Sequence, residues 1–241
     1  MIKKIKRLIE ENRSYHKATL RKLNELEWAN VYHDSIRGKK WIENLPLNIG
    51  RWAGNYPFFY FLHRILEETQ PESILEFGLG ESSKMINAYI DNSQSVQEYL
   101  VIEHSKDWKN QFLEKNQSND VFDIKICELE VKKFNTEIYK SYKNLSEVIK
   151  DKKFDFYLFD GPLGSKHYSR FDLIMCFNTT IKTDKFIILL DDTHRKGEIE
   201  TLDVLKSNFD DKNIEYFSRS FSGVKTFTLI VSPDYKYLLS L

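Results

Sequence analysis

Residues 73–83 read SILEFGLGESS, an apolar run that ends on a Gly-x-Gly turn and leads into two serines. A short apolar run bounded by glycine is typical of a buried strand. Gly78 and Gly80 allow a tight turn and a close approach of the backbone to a ligand. Ser82 and Ser83 suit the first turn of a helix, where hydroxyls cap backbone N–H groups. The stretch therefore predicts a strand, a turn and a helix in succession.

The same alternation continues along the chain. Strands are predicted at 73–78, 99–104, 123–127, 154–160 and 186–191, and helices at 83–90, 108–115, 137–149, 170–181 and 198–209. Apolar strands separated by helices indicate a parallel sheet covered on both faces. Residues 213–220 and 224–232 are joined so closely that they can form only an antiparallel hairpin. We expect an α/β fold, a Rossmann-like three-layer sandwich whose mostly parallel seven-stranded sheet is closed by this hairpin.

Residues 1–56 are expected to form a helical extension to a domain that spans 57–241. Ile5, Leu8 and Ile9 recur at helical spacing, and Leu20 and Leu23 continue the pattern, which predicts a helix from residue 2 to about residue 34. The helix is amphipathic, so we expect it to pack on its own domain or on a second copy of the chain, as a homodimer.

Composition narrows the classes of partner. The 36 basic and 36 acidic side chains cancel, whereas proteins that neutralise nucleic-acid phosphates usually carry a basic excess. Apolar runs are far shorter than the roughly 18 residues that cross a bilayer, so we expect no membrane insertion. Cys127 and Cys176 are too far apart in sequence for a metal knuckle, and they indicate a reducing, cytoplasmic setting.

Acidic residues dominate the carboxyl ends of the predicted strands, where open α/β sheets bind their ligands. These positions include Glu76, Glu103, Glu128, Asp160 and the pair Asp191–Asp192. A dinucleotide fingerprint would require a third glycine at position 83, which is Ser83, and Glu76 would repel a pyrophosphate. A cationic ligand suits this edge better, and Glu103 is placed to accept hydrogen bonds from ribose hydroxyls.

Taken together, Glu76-x-Gly78-x-Gly80, Glu103, the strand ending at Asp160 and the closing hairpin resemble the class I S-adenosylmethionine (SAM)-dependent methyltransferases. The resemblance covers residues 71–232 and implies SAM as the cofactor. It implies that the methionine moiety lies against the glycine turn, the ribose against Glu103, and the adenine near Glu128. The cofactor-binding residues expected on this basis are Glu76, Gly78, Gly80, Ser82, Ser83, Glu103, Glu128, Asp160, Arg51 and Asn55.

Arg51 and Asn55 enter that set because residues 48–56, which precede the domain, are similar to a lid that folds over the cofactor in many methyltransferases. Either side chain is expected to meet the methionine carboxylate. The alternative is that the segment simply connects the helical extension to the domain.

The acids Asp160, Asp191 and Asp192 also resemble the metal ligands of catechol-type O-methyltransferases, although Asp192 replaces an amide. Mg²⁺ prefers such oxygens, so the sequence is compatible with Mg²⁺ or another divalent metal that activates an acceptor hydroxyl. The run Asp160-Gly161-Pro162-Leu163-Gly164 is similar to a stretch in glucuronoxylan methyltransferase-like proteins, which suggests a sugar or another small polar acceptor.

Asp160, His194 and His167 are the candidate catalytic residues, because each follows a strand end where an acceptor would lie. An imidazole titrates near neutral pH and suits proton removal. The resulting hypothesis is a SAM-dependent O-methyltransferase. Two alternatives stay open: an aminopropyl transferase of the same architecture, and a non-catalytic binding or assembly module.

Overall fold

The computed structural model of this chain describes residues 2–50, 52–116, 119–182 and 184–240. The strands are β1 (Ser73–Phe77), β2 (Glu98–Glu103), β3 (Phe122–Ile126), β4 (Leu129–Phe134), β5 (Glu137–Tyr142), β6 (Phe156–Phe159), β7 (Ile187–Leu190), β8 (Phe217–Ser222) and β9 (Thr226–Val231). The helices are α1 (Ile2–Ile36), α2 (Tyr56–Thr69), α3 (Glu81–Ile90), α4 (Lys106–Lys115), α5 (Leu145–Val148), α6 (Asp172–Thr179) and α7 (Lys196–Asp211), followed by a 3₁₀ helix over Pro233–Leu239.

Seven strands form one sheet in the order β3-β2-β1-β6-β7-β9-β8. The first five strands of this order are parallel, whereas β9 is antiparallel to β7 and to β8. This confirms the predicted mostly parallel sheet closed by an antiparallel hairpin. β8 begins at Phe217, somewhat later than the sequence pattern indicates.

The sheet has an apolar core on each face. Alternate side chains of a strand point to opposite faces, so neighbours such as Ile74 and Leu75 enter different cores. Leu189 and Leu190 of β7 are divided in the same way, and all four side chains are fully buried. Helices therefore cover both faces, which explains why the central strands are continuously apolar.

The helix predicted over residues 137–149 is wrong. Residues 137–142 instead form β5, which pairs antiparallel with β4 in a separate two-stranded sheet, and only the short helix α5 follows. The first four residues of EIYKSY alternate in burial with a period of two, and the segment contains β-favouring Ile and Tyr. Asn135 adopts a positive φ of 53° in the tight turn between the two strands, a conformation that asparagine tolerates well.

Helix α1 has two parts with different surroundings. Trp28, Tyr32 and Ile36 are buried in the same core as α2, whereas every residue from 3 to 23 is exposed. Glu25 links α1 to the start of α2 and to the turn between β8 and β9, because its carboxylate accepts the backbone N–H groups of Tyr56 and Val224, each at 2.8 Å. Among the described residues, no helix is both long enough and apolar enough to cross a bilayer.

Candidate functional site

The glycine turn brings the ends of β1 and β6 into close contact. Gly78 has a φ of +97°, and a Cβ atom there would lie 3.0 Å from the backbone nitrogen of Gly161. At Gly161, a Cβ atom would lie 2.7 Å from the Tyr142 hydroxyl. Both positions therefore require glycine. Gly80 differs, because open space lies where its Cβ would be, so a ligand can approach the backbone there.

A cavity of about 820 Å³ opens at this edge of the sheet. Its size falls within the range of small-molecule binding sites. The lining combines the glycine turn, three strand-end acids and the loop after β6 with aromatic and basic side chains. The described lining residues are Trp52, Gly78, Leu79, Gly80, Ser82, Glu103, His104, Ser105, Trp108, Tyr142, Asp160, Gly161, Pro162, Leu163, Gly164, Arg170, Asp192, Arg195 and Lys225.

Glu76 lies outside that lining and is fully buried. Its carboxylate accepts hydrogen bonds from the hydroxyls of Ser82 and Tyr99. Burial raises the pKa of Glu76 to about 7, and these hydrogen bonds offset only part of that effect. Ser83 is also buried, and its hydroxyl accepts the Gly80 N–H at 3.0 Å. Glu76 and Ser83 thus stabilise the glycine turn from positions outside the cavity lining, whereas Ser82 is part of that lining.

Glu103, the last residue of β2, lines the cavity. Its Oε1 accepts the backbone N–H groups of His104 and Ser105, each at 2.7 Å, and its Oε2 accepts the Leu79 N–H at 3.1 Å. A carboxylate oxygen can accept about two hydrogen bonds, so Oε2 retains capacity for a ligand hydroxyl. Trp108 stands beside this acid, with its indole N–H donating to the Leu79 carbonyl at 2.7 Å.

The three acids Asp160, Asp191 and Asp192 are brought together as predicted, with one carboxylate oxygen of each within 4.8 Å of the others. Arg170 lies among them. Its Nη2 donates to Asp160 and to Asp192 at 2.9 Å, and its Nη1 donates to the Asp191 carbonyl at 2.6 Å. The guanidinium is 3% exposed, so it is a buried cation that bridges two of the acids.

The acids around Arg170 nevertheless outnumber this one buried cation. Both carboxylate oxygens of Asp191, Oδ1 of Asp192 and Oε1 of Glu198 are buried and have no hydrogen-bond partner within the described part of the chain. Burial, together with the Asp191 carboxylate, raises the pKa of Asp160, and burial likewise raises the pKa of Asp191. The Arg170 guanidinium opposes both shifts.

The cavity is less acidic than the sequence suggests. The described part of its lining contains three acids, Glu103, Asp160 and Asp192, and also three basic residues, Arg170, Arg195 and Lys225. The basic residues lie on the side of β6, β7 and the closing hairpin, whereas Glu103 stands at the β2 side. Asp160 and Asp192 lie on the same side as the basic residues, each 2.9 Å from the Arg170 guanidinium, so basic and acidic residues are paired there.

His194, His167 and Glu128 are further predicted site residues that lie outside the lining formed by the described residues. His194 is exposed, and its Nδ1 accepts the Thr226 N–H at 3.4 Å. His167 is hydrogen-bonded through Nδ1 to Glu200 at 3.0 Å. Glu128 has a side chain that is 81% exposed. The roles predicted for these three residues therefore have no support from position.

Among the described residues of the segment before α2, Trp52 contributes to the cavity. Trp52 lines the opening and is 93% exposed. Asn55 points elsewhere, since its amide donates to Glu25 at 2.9 Å and to the Lys225 carbonyl at 3.2 Å. The Lys225 ammonium in turn donates to the Ala53 carbonyl at 2.7 Å. Arg51 lies outside the described residues.

Several cavity residues were missed by reasoning from sequence. Trp108, Tyr142, Arg195 and Lys225 were not predicted as site residues, yet all four line the cavity. Tyr142 belongs to the segment that was predicted to be helical, which concealed its position. Arg195 directly follows His194, and its guanidinium contacts Asp192 at 2.9 Å.

No protein-family model matches this sequence, and no curated protein matches it. Solved structures do. An O-methyltransferase from Bacillus cereus in complex with SAH is 13% identical, with a TM-score of 0.53 over 87% of this chain and 90% of that one. The O-methyltransferase TomG from Streptomyces achromogenes, involved in tomaymycin synthesis and in complex with SAM, is 12% identical, with a TM-score of 0.53 over 86% and 89%. An SAH-bound methyltransferase from Podospora anserina is 12% identical, with a TM-score of 0.52 over 92% and 95%.

These likenesses extend along most of each chain, and their identity is low enough that they bear on the fold alone. The chain therefore has the Rossmann-like fold of the class I methyltransferases.

Proposed function

We propose that this protein is a SAM-dependent O-methyltransferase that acts on a hydroxyl of a sugar or another small polar molecule. One observation carries the proposal: the Gly78–Gly80 turn, Glu103 and Asp160 face a single cavity at the carboxyl ends of β1, β2 and β6. Ligands bind at this edge in open α/β sheets, and the solved structures with the same fold include complexes with SAM and SAH.

The residues present fit SAM. Glu103 retains an acceptor position on Oε2 for a ribose hydroxyl, and Trp108 offers an aromatic surface for the purine. The open space at Gly80 leaves room for the methionine moiety beside the backbone. When bound, the cofactor supplies the methyl group that the acceptor oxygen takes up.

Of the three candidate catalytic residues, Asp160 is the best placed to remove the acceptor's proton. It lines the cavity, whereas His194 and His167 do not. Its raised pKa makes its carboxylate a stronger base than an ordinary aspartate. In the transfer, the methyl group would leave the sulfonium sulfur, giving the neutral thioether, and the proton of the acceptor hydroxyl would pass to Asp160, whose carboxylate Arg170 holds in position through a 2.9 Å hydrogen bond.

A divalent metal fits poorly among these three acids. The carboxylate oxygens of the three acids suit Mg²⁺, but Nη2 of Arg170 already lies 2.9 Å from both Asp160 and Asp192 and would repel an ion held by those two acids. We therefore expect turnover to persist when a chelator is added. Loss of turnover that added Mg²⁺ restores would show that Arg170 moves aside for a metal.

Two basic side chains of the cavity lining favour a polar acceptor. Arg195 is partly exposed and lines the cavity next to Asp192, and Lys225 lies on the same side. Such side chains bind hydroxyl, carboxylate or phosphate groups readily. Cys127 and Cys176 are free and buried, which agrees with a reducing compartment such as the cytoplasm.

The proposal is tested by incubating the purified chain with SAM and a panel of sugars, sugar phosphates and small polyols, followed by mass spectrometry. We expect one methyl group to be added to a hydroxyl of at least one acceptor. A parallel reaction with decarboxylated SAM and polyamines tests aminopropyl transfer. Product from that reaction alone would replace the proposal, and failure to bind either donor would indicate a non-catalytic module.

A further inference from the structure

The proposed function assigns no role to residues 3–23, the exposed part of helix α1. We call these residues the arm. Every side chain of the arm is exposed, including six large apolar ones. They are Ile5, Leu8, Ile9, Tyr15, Leu20 and Leu23, and each is at least 47% exposed. Such a row of exposed apolar side chains usually marks an interaction surface.

Projection of the arm as an α-helix separates its side chains into two faces. At 100° per residue, the six apolar side chains fall in a sector of about 140°. Asn12, His16 and Thr19 are the polar residues of this sector, which holds no Lys or Arg. All the basic side chains of the arm project on the opposite side. They are Lys3, Lys4, Lys6, Arg7, Arg13, Lys17, Arg21 and Lys22.

The arm is strongly basic although the chain as a whole is neutral. It contains eight Lys and Arg residues against two acids, Glu10 and Glu11, and so carries a net charge of +6. Arg7 is paired with Glu11 at 2.8 Å, but that pair is exposed and screens little of the charge. The arm therefore attracts anionic surfaces and repels another arm.

The folded domain leaves the apolar face free. Trp28, Tyr32 and Ile36 attach α1 to the domain, and in the same projection they lie on the side of the basic residues. The apolar face of the arm thus points away from the domain. Leu26 continues this face beside the domain and is 63% exposed.

We propose that the arm binds an anionic lipid surface, lying in the membrane interface with its apolar face in the acyl region and the domain on the aqueous side. A large apolar sector opposite a basic face is the pattern of interfacial helices. The basic residues add attraction to anionic headgroups, worth about tenfold in affinity for every one or two charges near the surface. Pairing of two arms would bring like charges together, and a nucleic acid would leave the apolar face in water.

The experiment is co-sedimentation of the full chain with vesicles of phosphatidylcholine and phosphatidylglycerol, compared with vesicles of phosphatidylcholine alone. We expect binding to the anionic vesicles that is at least tenfold stronger and that weakens as salt is added. Equal binding to both kinds of vesicle, or binding to neither, would overturn the proposal.

Matched variants assign the binding to the arm. Ile9→Gln with Leu20→Gln removes apolar surface without changing charge, and we expect it to weaken binding about tenfold or more. Ser14→Gln with Ala18→Gln, on the basic face, is the control and should bind as the wild type does. Equal loss in both variants, or no loss in either, would contradict an apolar face in the acyl region.

A charge variant completes the test. Lys3→Gln, Lys17→Gln and Arg21→Gln together should weaken binding about tenfold or more at low salt and less at high salt. Sedimentation velocity without vesicles should show a monomer for every variant; a dimer that dissociates in the Ile9→Gln, Leu20→Gln variant would assign the face to a second copy instead. SAM binding should be unchanged throughout, so this inference fails or holds independently of the proposed function.

Discussion

Two neighbouring groups of acids at the same edge of the sheet are compensated in opposite ways. At the ends of β1 and β2, Glu76 and Glu103 accept hydrogen bonds from neutral hydroxyls and backbone N–H groups. At the ends of β6 and β7, Asp160 and Asp192 are held by the buried Arg170, and Asp191 keeps two unpartnered carboxylate oxygens within the described residues.

The difference indicates which group binds and which reacts. Neutral donors fix Glu103 without cancelling its charge, so it stays a rigid acceptor for a ligand. Burial, together with the crowded and incompletely neutralised acids around Arg170, raises the pKa of Asp160 at the cavity wall. Perturbed pKa values of this kind are typical of catalytic sites. Substitutions in either group of acids test this comparison.

Arg170→Met should have the largest effect. Removal of the guanidinium leaves Asp160, Asp192 and Glu198 without their buried cation, and breaking a buried ion pair costs about 3–5 kcal/mol. Urea denaturation measures the loss. Arg7→Met, which breaks an exposed pair with Glu11, is the control and should cost less than about 1 kcal/mol. Similar losses in the two variants would mean that the acids near Arg170 are protonated or solvated.

Asp160→Asn should abolish most turnover and spare cofactor binding. We expect kcat to fall about a hundredfold or more, because the general base is lost, while the Kd for SAM changes little. In the wild type, kcat should rise with pH through the neutral range, since the raised pKa of Asp160 must be exceeded before its carboxylate is free. Asp123→Asn, on the exposed side of β3, is the control. An unchanged kcat in Asp160→Asn would assign proton removal to another group.

Glu76→Gln should have the smallest effect and should appear as a change in the pH dependence of stability. The folded-state pKa of about 7 lies above the ordinary value of 4.5, so the folded chain holds a proton that the unfolded chain releases between these values. Wild-type stability therefore falls as pH rises through that window, and Glu76→Gln should reduce this slope. Identical slopes would show that Glu76 is solvated.

Sequence alone predicts the sheet because that prediction depends on local patterns. Apolar runs, the glycine turn and the short hairpin connection each restrict the chain independently of distant residues. Local patterns do not predict the structure of residues 137–149, because β5 is a strand only when β4 lies beside it. Its mixture of Ile, Tyr, Lys and Ser suits either state until that partner is known.

Side-chain direction limits what sequence predicts about the site. Glu76 lies inside β1, one residue before its end, and faces Tyr99 rather than the cavity, whereas Glu103 ends β2. Arg170 shows a second limit: it lies 10 residues beyond Asp160 in sequence, yet the fold places it between two strand ends. The balance of charge in the cavity depends on such tertiary contacts, which strand-end acids alone do not reveal.

Calorimetric titration with SAM tests the central claim most directly, when wild type, Glu103→Ala and Glu128→Ala are compared. We predict that the wild type binds SAM and gives no heat with NAD. Glu103→Ala should weaken SAM binding by about tenfold to a hundredfold, because a charged acceptor of the ribose is lost, and Glu128→Ala should bind as the wild type does. Full affinity in Glu103→Ala, or tight binding of NAD, would contradict a SAM site in this cavity.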